Sequence, residues 1–466
     1  MIRIGLISFS DGRARVHETL KGYIAQCEEA LLDRLAKTGD AEVVVAEAQV
    51  CTNQLAEQAA RSMLGKKLDA CIFNVPVFAF PNFTAIAARI LQGVPLLAHS
   101  PANGSYPGLG GLQAAVGMIR QTGGQCEKVW GNVADENVFA RIMAFLRAAH
   151  AVTRLKGQVY GLFGGRSIGM GSGAVSPDVW MRQFGVDIEH IDQLEILRRA
   201  RMVPPEQTEK ALQWLEDRLG AVEYDDKKLT RESLGLQANC YIALKALIAE
   251  RGLSFVGVKC HYDLSEYHVT QCLSAALCND PYDWDGEKEP VVFACEADSD
   301  AALTMQILKL VSGLPVVFMD FRHFMQEENV FVFCNCGACA TWYAARSANP
   351  EENLRRVRLC PVIPKYGGDG CHVQFMAEAG TMTFARLTHR MDHYVLQAFV
   401  GTFKKLPVAR MRETCEAWPH GYASVKSEPM ELLDRFASNH IHAVSGSYLD
   451  ELRVFCRLTG VELEVL

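Results

Sequence analysis

The sequence predicts an α/β protein: two Rossmann-like αβα domains at residues 1–155 and 156–315, then an antiparallel β-barrel-like domain at 316–466. Three observations carry that expectation. Up to about residue 311, short β-rich runs alternate with stretches whose apolar residues recur at helical spacing, which implies parallel strands joined by helical crossovers. Beyond residue 316, β-type runs sit between glycine-containing turns, which favours antiparallel pairing. The length, 466 residues, exceeds one ordinary domain.

In order, Ile2–Phe9 is an apolar first strand, and Val16–Ala36 a helix with Leu20, Ile24, Cys27, Leu31 and Leu35 on one face. Ala41–Ala46, with three consecutive valines, is a strand and Asn53–Leu64 a helix. Leu68–Val75, Phe83–Leu91 and Val94–Ala98 continue as strand, helix, strand. A second unit opens near Gly157 with strands at Val159–Phe163 and Val186–Ile191 around a short helix at Pro177–Phe184. Helices at Gln207–Leu219 and Glu232–Arg251, strands at Phe255–Lys259 and Pro290–Cys295, and a helix at Ala301–Val311 complete it. The last part has strands at Pro315–Met319, Val330–Cys334, His372–Phe375 and Thr381–Leu387, ending in a helix (Leu449–Leu458) and a strand (Val461–Leu466).

Composition narrows the function classes. Lys and Arg total 47 against 54 Asp and Glu, a net charge of −7, and no basic run stands out, so neither nucleic acid nor an anionic membrane is the expected partner. The longest apolar stretch, Cys71–His99, is interrupted by Asn74, Pro76, Pro81, Asn82 and Arg89. The opening MIRIGLISFS lacks the features of a signal peptide. Sixteen cysteines then read as reduced thiols in a cytoplasmic protein rather than a disulfide framework.

Several clusters could carry chemistry. Gly169-Met-Gly171-Ser-Gly173-Ala174, with Glu189 twenty positions on, fits a dinucleotide fingerprint in spacing, but Gly164–Ser167 separates it from its strand and Pro177 starts the helix too late. Glu296 follows a strand and Asp320 follows another, 24 residues later. They either converge on a metal from adjacent strands or, like Asp298 and Asp300, cap helices. Near the end, Ser438-Asn439-His440-Ile441-His442 precedes small residues that suit a site-lining loop. Two carboxylates and an imidazole suit Mn²⁺ better than structural zinc. Cys334-Asn-Cys336-Gly-Ala-Cys339 lacks the paired spacing of a zinc site.

These residues resemble the L-fucose isomerase and L-arabinose isomerase family of metal-dependent aldose–ketose isomerases. Asp11-Gly12-Arg13 with Glu18-Thr19-Leu20 is similar to the family's DGR…ESL segment. Val159–Arg199 resembles the opening of its second domain, Glu289–Arg322 the stretch with the metal-binding glutamate and aspartate, and Leu406–Arg410 with Ser438–His440 the region of the ligand histidine. The resemblance implies Glu296, Asp320 and His440 as ligands of a divalent metal, most simply Mn²⁺, with Glu296 and Asp320 as catalytic acid–base groups. It implies two α/β domains and a β-barrel, in a homo-oligomer (trimer or hexamer) where Arg13 and Phe78 reach a neighbour's substrate. Tyr422 and Asn439 would also contact the sugar.

Two departures matter. Lys259 stands where fucose isomerases carry glutamine and would pair with a sulfonate, carboxylate or phosphate on the sugar. Cys336 stands where relatives have serine or a histidine ligand, which favours a three-ligand site with Cys336 at the substrate. The expected activity is interconversion of an aldose and its 2-ketose through an enediolate, the substrate being a 6-deoxyhexose, a pentose or a 6-anionic hexose. The alternatives are a non-catalytic sugar-binding or regulatory protein and an NAD(P)-dependent oxidoreductase using the Gly169 loop.

Overall fold

Strand β1 (Ile2–Ser8) lies inside the first sheet, and its neighbours follow from the apolar runs that cannot face water. With β2 (Ala41–Val45), β3 (Ala70–Asn74), β4 (Leu96–Ser100) and β5 (Glu127–Trp130) it forms an all-parallel sheet of order β2-β1-β3-β4-β5. Every residue of β3 and β4 is buried, as helices over both faces of a parallel sheet require. Strand order reverses between β1 and β3, the place where open parallel sheets offer a crevice at their C-terminal edge.

The computed structural model describes residues 1–391 and 393–466, which divide into two units: residues 1–154 with 450–459, and residues 155–449 with 460–466. The first unit therefore includes the amphipathic helix Leu449–Thr459, whose Glu451 meets Arg147 at 3.2 Å and whose Arg457 meets Glu127 at 2.7 Å.

The second unit holds a parallel sheet and a large antiparallel one. Strands β6 (Val159–Phe163), β7 (Asp187–Ile191), β8 (Phe255–Val258) and β9 (Phe293–Cys295) pair in the order β9-β8-β6-β7, all parallel. Helix Arg231–Arg251 is fixed by a reciprocal Thr230–Ser233 capping box and ends at Gly252 (φ 63°). The antiparallel sheet comprises β10 (Val317–Met325), β11 (Val330–Cys334), β12 (Gly380–Arg390), β13 (His393–Lys404), β14 (His420–Val425), β15 (His440–Ser445) and β16 (Glu462–Val465). Its order is β12-β15-β10-β11-β14-β13-β16, and β12 also pairs with β13, so six strands form a closed circuit. Only the outer β13–β16 pairing is parallel.

The second parallel sheet and the antiparallel circuit share one compact unit, and the first unit takes in residues 450–459. Three local expectations need correction. Asp320 lies inside β10 rather than after a strand, and His440 opens β15 rather than sitting in a loop. The strand expected at Pro290–Cys295 shortens to Phe293–Cys295. Glu296 and Asp320 thus come from different sheets, not from adjacent strands of one. Among the described residues no helix is long and apolar enough to cross a membrane.

Candidate active site

Beyond β9 the chain turns through two consecutive non-glycine residues in the left-handed region, Glu296 (φ 59°) and Ala297 (φ 52°). Such conformations cost of order 1 kcal/mol each and persist only where the surroundings impose them. Here the amide of Ala297 donates to the carbonyl of Val258 (3.1 Å), and a Cβ on Gly257 would stand 3.3 Å from Cα of Ala297. The turn aims Glu296 at the antiparallel sheet and delivers Asp298 to the N-cap of helix Ser299–Ser312, where its Oδ1 accepts from the amide of Ala301 (3.0 Å).

Register supplies the other groups. His440 lies opposite Asp320, Asp320 opposite Cys334, and Cys334 opposite His420, so these four side chains form a row on one face of β15, β10, β11 and β14. Nε2 of His440 is 3.2 Å from Oδ1 of Asp320 and 3.6 Å from Oε2 of Glu296, yet this buried nitrogen has no hydrogen-bond partner. Its other ring nitrogen, Nδ1, donates to Oδ2 of Asp298 (2.7 Å). Asp298 is gripped by Arg386, with Nη1 to Oδ2 at 2.9 Å and Nη2 to Oδ1 at 3.1 Å, and both side chains are fully buried. Nε2 of His442 accepts from Nη1 of Arg386 (3.2 Å). Asp320 accepts from Nδ2 of Asn335 (2.7 Å) and from Nδ2 of Asn439 (3.2 Å).

The charges are unbalanced in an informative way. Burial pushes the Glu296 carboxyl up to about 7, His440 opposing and the charges of Asp320, Cys336 and Asp298 adding to the rise. Burial would lower His440, but Asp320 and Asp298 outweigh it and raise the ring to about 10. Asp298 lies well below the usual carboxylate range because, against the opposing effect of burial, Arg386 and His440 hold it ionised. Burial and Arg386 keep His442 neutral. A proton pinned among three acids marks a place that favours positive charge.

The donor set fits a divalent cation. Among the described residues no group of three His, Cys, Asp or Glu side chains is placed so that it could hold a metal ion without moving. Still, the orphaned Nε2 of His440 faces carboxylate oxygens of Glu296 and Asp320, and Asp298 holds the imidazole from behind, as carboxylates behind metal-ligating histidines do. Two carboxylates and one imidazole are a hard donor set of the Mn²⁺ or Mg²⁺ type.

Other expected contacts divide. Asn439 and Cys336 belong to this neighbourhood; the half-buried Cys336 is a free thiol, and hydrogen bonds from the Cys272 and Cys295 thiols draw its pKa well below the ordinary thiol value against the effect of burial. Tyr422 is on the same face as His420 and stacks on it, but it is fully buried and its hydroxyl lacks a partner. Lys259, just after β8, is committed to an ion pair with Asp263 at 2.5 Å. Arg13 and Phe78 belong to the first unit, at the C-terminal edge of its sheet. Both are exposed, and Arg13 is held by Nε and Nη2 bonds to the buried Asp11 (2.9 and 2.7 Å). The Gly169 loop turns its carbonyls onto the Arg166 guanidinium, and Glu189, the expected ribose anchor, is paired with Arg251. That loop does not open a helix after its strand as dinucleotide binding requires.

Sequence reasoning treated Asp298 only as a cap and missed Arg386. The available signal was an arginine within the continuous run Thr381–Leu387, since a charge inside a strand buried on both faces must have a partner.

Comparison with known proteins identifies the family. Residues 1–157 match the L-fucose isomerase first N-terminal domain and residues 333–466 match the L-fucose isomerase C-terminal domain, together more than half of the chain. A sulfoquinovose isomerase of Alkalicoccus urumqiensis is 24% identical over 407 residues, covering 85% of this chain and 86% of that protein. An L-fucose isomerase of Klebsiella pneumoniae subsp. pneumoniae is 23% identical over 503 residues, covering 90% and 83%. One of Streptococcus pneumoniae is 25% identical over 370 residues, covering 70% of this chain and 62% of that protein. Likeness to solved structures is slight: a periplasmic solute-binding protein of Actinobacillus succinogenes with bound D-allose, 15% identical and covering 67% of this chain and 92% of that chain, gives a TM-score of 0.18. With these two domain models matched over more than half of its length, the chain belongs to the L-fucose isomerase-like family of aldose–ketose isomerases.

Proposed function

We propose that this protein interconverts an aldose and its 2-ketose with a divalent metal, most simply Mn²⁺, held by Glu296, Asp320 and His440. The observation that carries the reading is Nε2 of His440, buried and unpartnered between two carboxylates while Nδ1 is fixed by Asp298. When bound, the metal would supply Lewis-acid stabilisation of charge on the two adjacent sugar oxygens. Glu296 and Asp320 face the reacting carbons as the groups that take a proton from one and return it to the next. A carboxyl poised near neutrality suits both directions, because a base must also release its proton. Asp298 holds the Nδ1–H of His440, which leaves Nε2 as the nitrogen that would give up its proton to a metal, and Asn335 and Asn439 hold Asp320 in place. Burial of His440 and Asp298 keeps bulk water from that side of the site, which strengthens their electrostatic contacts.

The substrate is a 6-deoxyhexose, a pentose or a 6-anionic hexose, the last class supported by likeness to a protein named for sulfoquinovose. Arg13 and Phe78 contact the substrate of a neighbouring subunit in a homo-oligomer. The test is an aldose-to-ketose conversion screen on metal-stripped protein with and without Mn²⁺. Turnover that requires metal and is abolished by Glu296→Gln in a folded protein supports the reading; metal-independent turnover, or full activity of Glu296→Gln, refutes it. Mixing Arg13→Ala with Glu296→Gln subunits restores part of the activity if the sites are shared, and none if they are not.

A further inference from the structure

The cation expected to select an anionic sugar, Lys259, is neutralised by Asp263. Two other cations are not. Arg322 holds its guanidinium carbon 5.7 Å from the centre of the Trp418 ring, and Lys365 holds Nζ 5.4 Å from the same ring and 5.0 Å from that of Tyr366. Among the described residues neither has an ion pair or a hydrogen bond, and each lies over an aromatic ring instead. Such contacts are weak where solvent reaches the cation, and here two like charges share one ring. The indole Nε1–H of Trp418 is a third idle donor: the residue is 6% exposed and that nitrogen is buried without a partner.

These donors lie beside the proposed centre. Arg322 is the bulged residue of β10, two positions after Asp320, where the register against β11 slips. Trp418 packs with Cys334 and Cys336, and Cys334 is the cross-strand neighbour of Asp320. From Asp320 to His420, two residues past Trp418, is two strand spacings, roughly 10 Å, the reach of an extended six-carbon sugar with a terminal substituent. Lys365 is tied to the same cluster through Tyr366 and Trp418, which pack with Cys334 and Cys336.

We propose that Arg322, Lys365 and the indole N–H of Trp418 form the subsite for an anionic terminal group, a sulfonate or phosphate, of the sugar whose carbonyl end reacts at Glu296 and Asp320. This inference rests on the isomerase reading and fixes its substrate class. Three donors match the three outer oxygens of such a group, and the guanidinium fork binds two of them side by side. An incoming anion also relieves the repulsion between the two cations.

The test compares kcat/KM for hexose 6-sulfonate, hexose 6-phosphate and the uronic acid with that for the matching 6-deoxyhexose, in wild type, Arg322→Gln, Lys365→Gln and Lys259→Met. Preference for the sulfonate or phosphate, with the anionic-to-neutral ratio falling ten- to a hundredfold in Arg322→Gln and Lys365→Gln, chiefly through KM, is the expected result. The ratio in Lys259→Met should stay within about twofold of wild type. Both exposed variants should keep wild-type unfolding curves. Equal or better use of the neutral sugar, preference for the uronic acid, or an unchanged ratio in both variants overturns the subsite and leaves the isomerase standing. A ratio that collapses only in Lys259→Met moves the anion to Lys259 and also overturns it. No turnover of any sugar overturns the isomerase reading itself.

Discussion

Replacing Asp298 by Asn tests two arguments at once. The side chain keeps its size and one carbonyl oxygen, so the cap on Ala301 can survive. Arg386, 1% exposed, loses the carboxylate that grips it, and an uncompensated buried charge of this kind costs about 3–5 kcal/mol. His440 loses the acceptor that fixes its proton on Nδ1; an amide hydrogen offered there instead moves the ring proton to Nε2, aimed at Glu296 and Asp320. Loss of such a supporting partner lowers metal affinity or activity about 10- to 100-fold. The assays are urea unfolding of metal-free protein, Mn²⁺ titration by calorimetry, and turnover. Adding Arg386→Met removes the stranded guanidinium and should restore most of the stability without restoring metal affinity. Wild-type metal affinity and turnover in Asp298→Asn would refute the tautomer argument, and a second substitution that rescues nothing would refute the buried-pair argument.

Other expectations can be checked separately. Asp280 is fully buried, and burial pushes its carboxyl up to about 7 although Thr341 and the Trp342 amide favour the charge. Its folded pKa lies above its unfolded one, so its contribution is complete in acid and is lost as pH rises from about 4 through 7, up to about 4 kcal/mol; Asp280→Asn should flatten that part of an unfolding-against-pH curve. Gly257→Ala would place a Cβ 2.0 Å from the Tyr160 hydroxyl and against Ala297, so it should cost roughly 1–3 kcal/mol and reduce turnover by moving Glu296; unchanged melting and activity would show that the turn is not braced there. Gly22→Ala, in mid-helix with open space at the Cβ, should instead stabilise by about 0.5–1 kcal/mol in thermal melts. Thr230→Ala removes half of a capping box and should cost about 1 kcal/mol in the same assay.

The parallel sheets were legible because their strands are apolar throughout and their helices carry a clear stripe: Ile2–Ser8 and Ala14–Ala36 fall within two residues of expectation. The acids were legible because Glu296 ends a strand at a turn. What the sequence hid depends on register between distant strands. Nothing local to His440 reveals that it lies opposite Asp320, and small residues around Ala443 look like a loop although they form a strand buried on nearly its whole length. Lys259 illustrates the same limit: its charge is visible in the sequence, whereas the Asp263 that cancels it, one helical turn on, depends on the local fold after β8. Arg322 and Lys365, 43 positions apart, become neighbours only through Trp418.

The helix at 450–459 gives the order of synthesis a role. Arg147 waits for Glu451 across 304 residues and Glu127 waits for Arg457 across 330. A ribosome that has finished the first sheet has not yet made the helix that completes that unit; the whole second unit up to Leu449 emerges in between. The early sheet must therefore endure with one flank bare, or remain loose, while its successor is translated. Newly made N-terminal unit should be a favoured client for chaperones, and pulse-proteolysis of stalled nascent chains should show it harden only after residue 459 has left the exit tunnel.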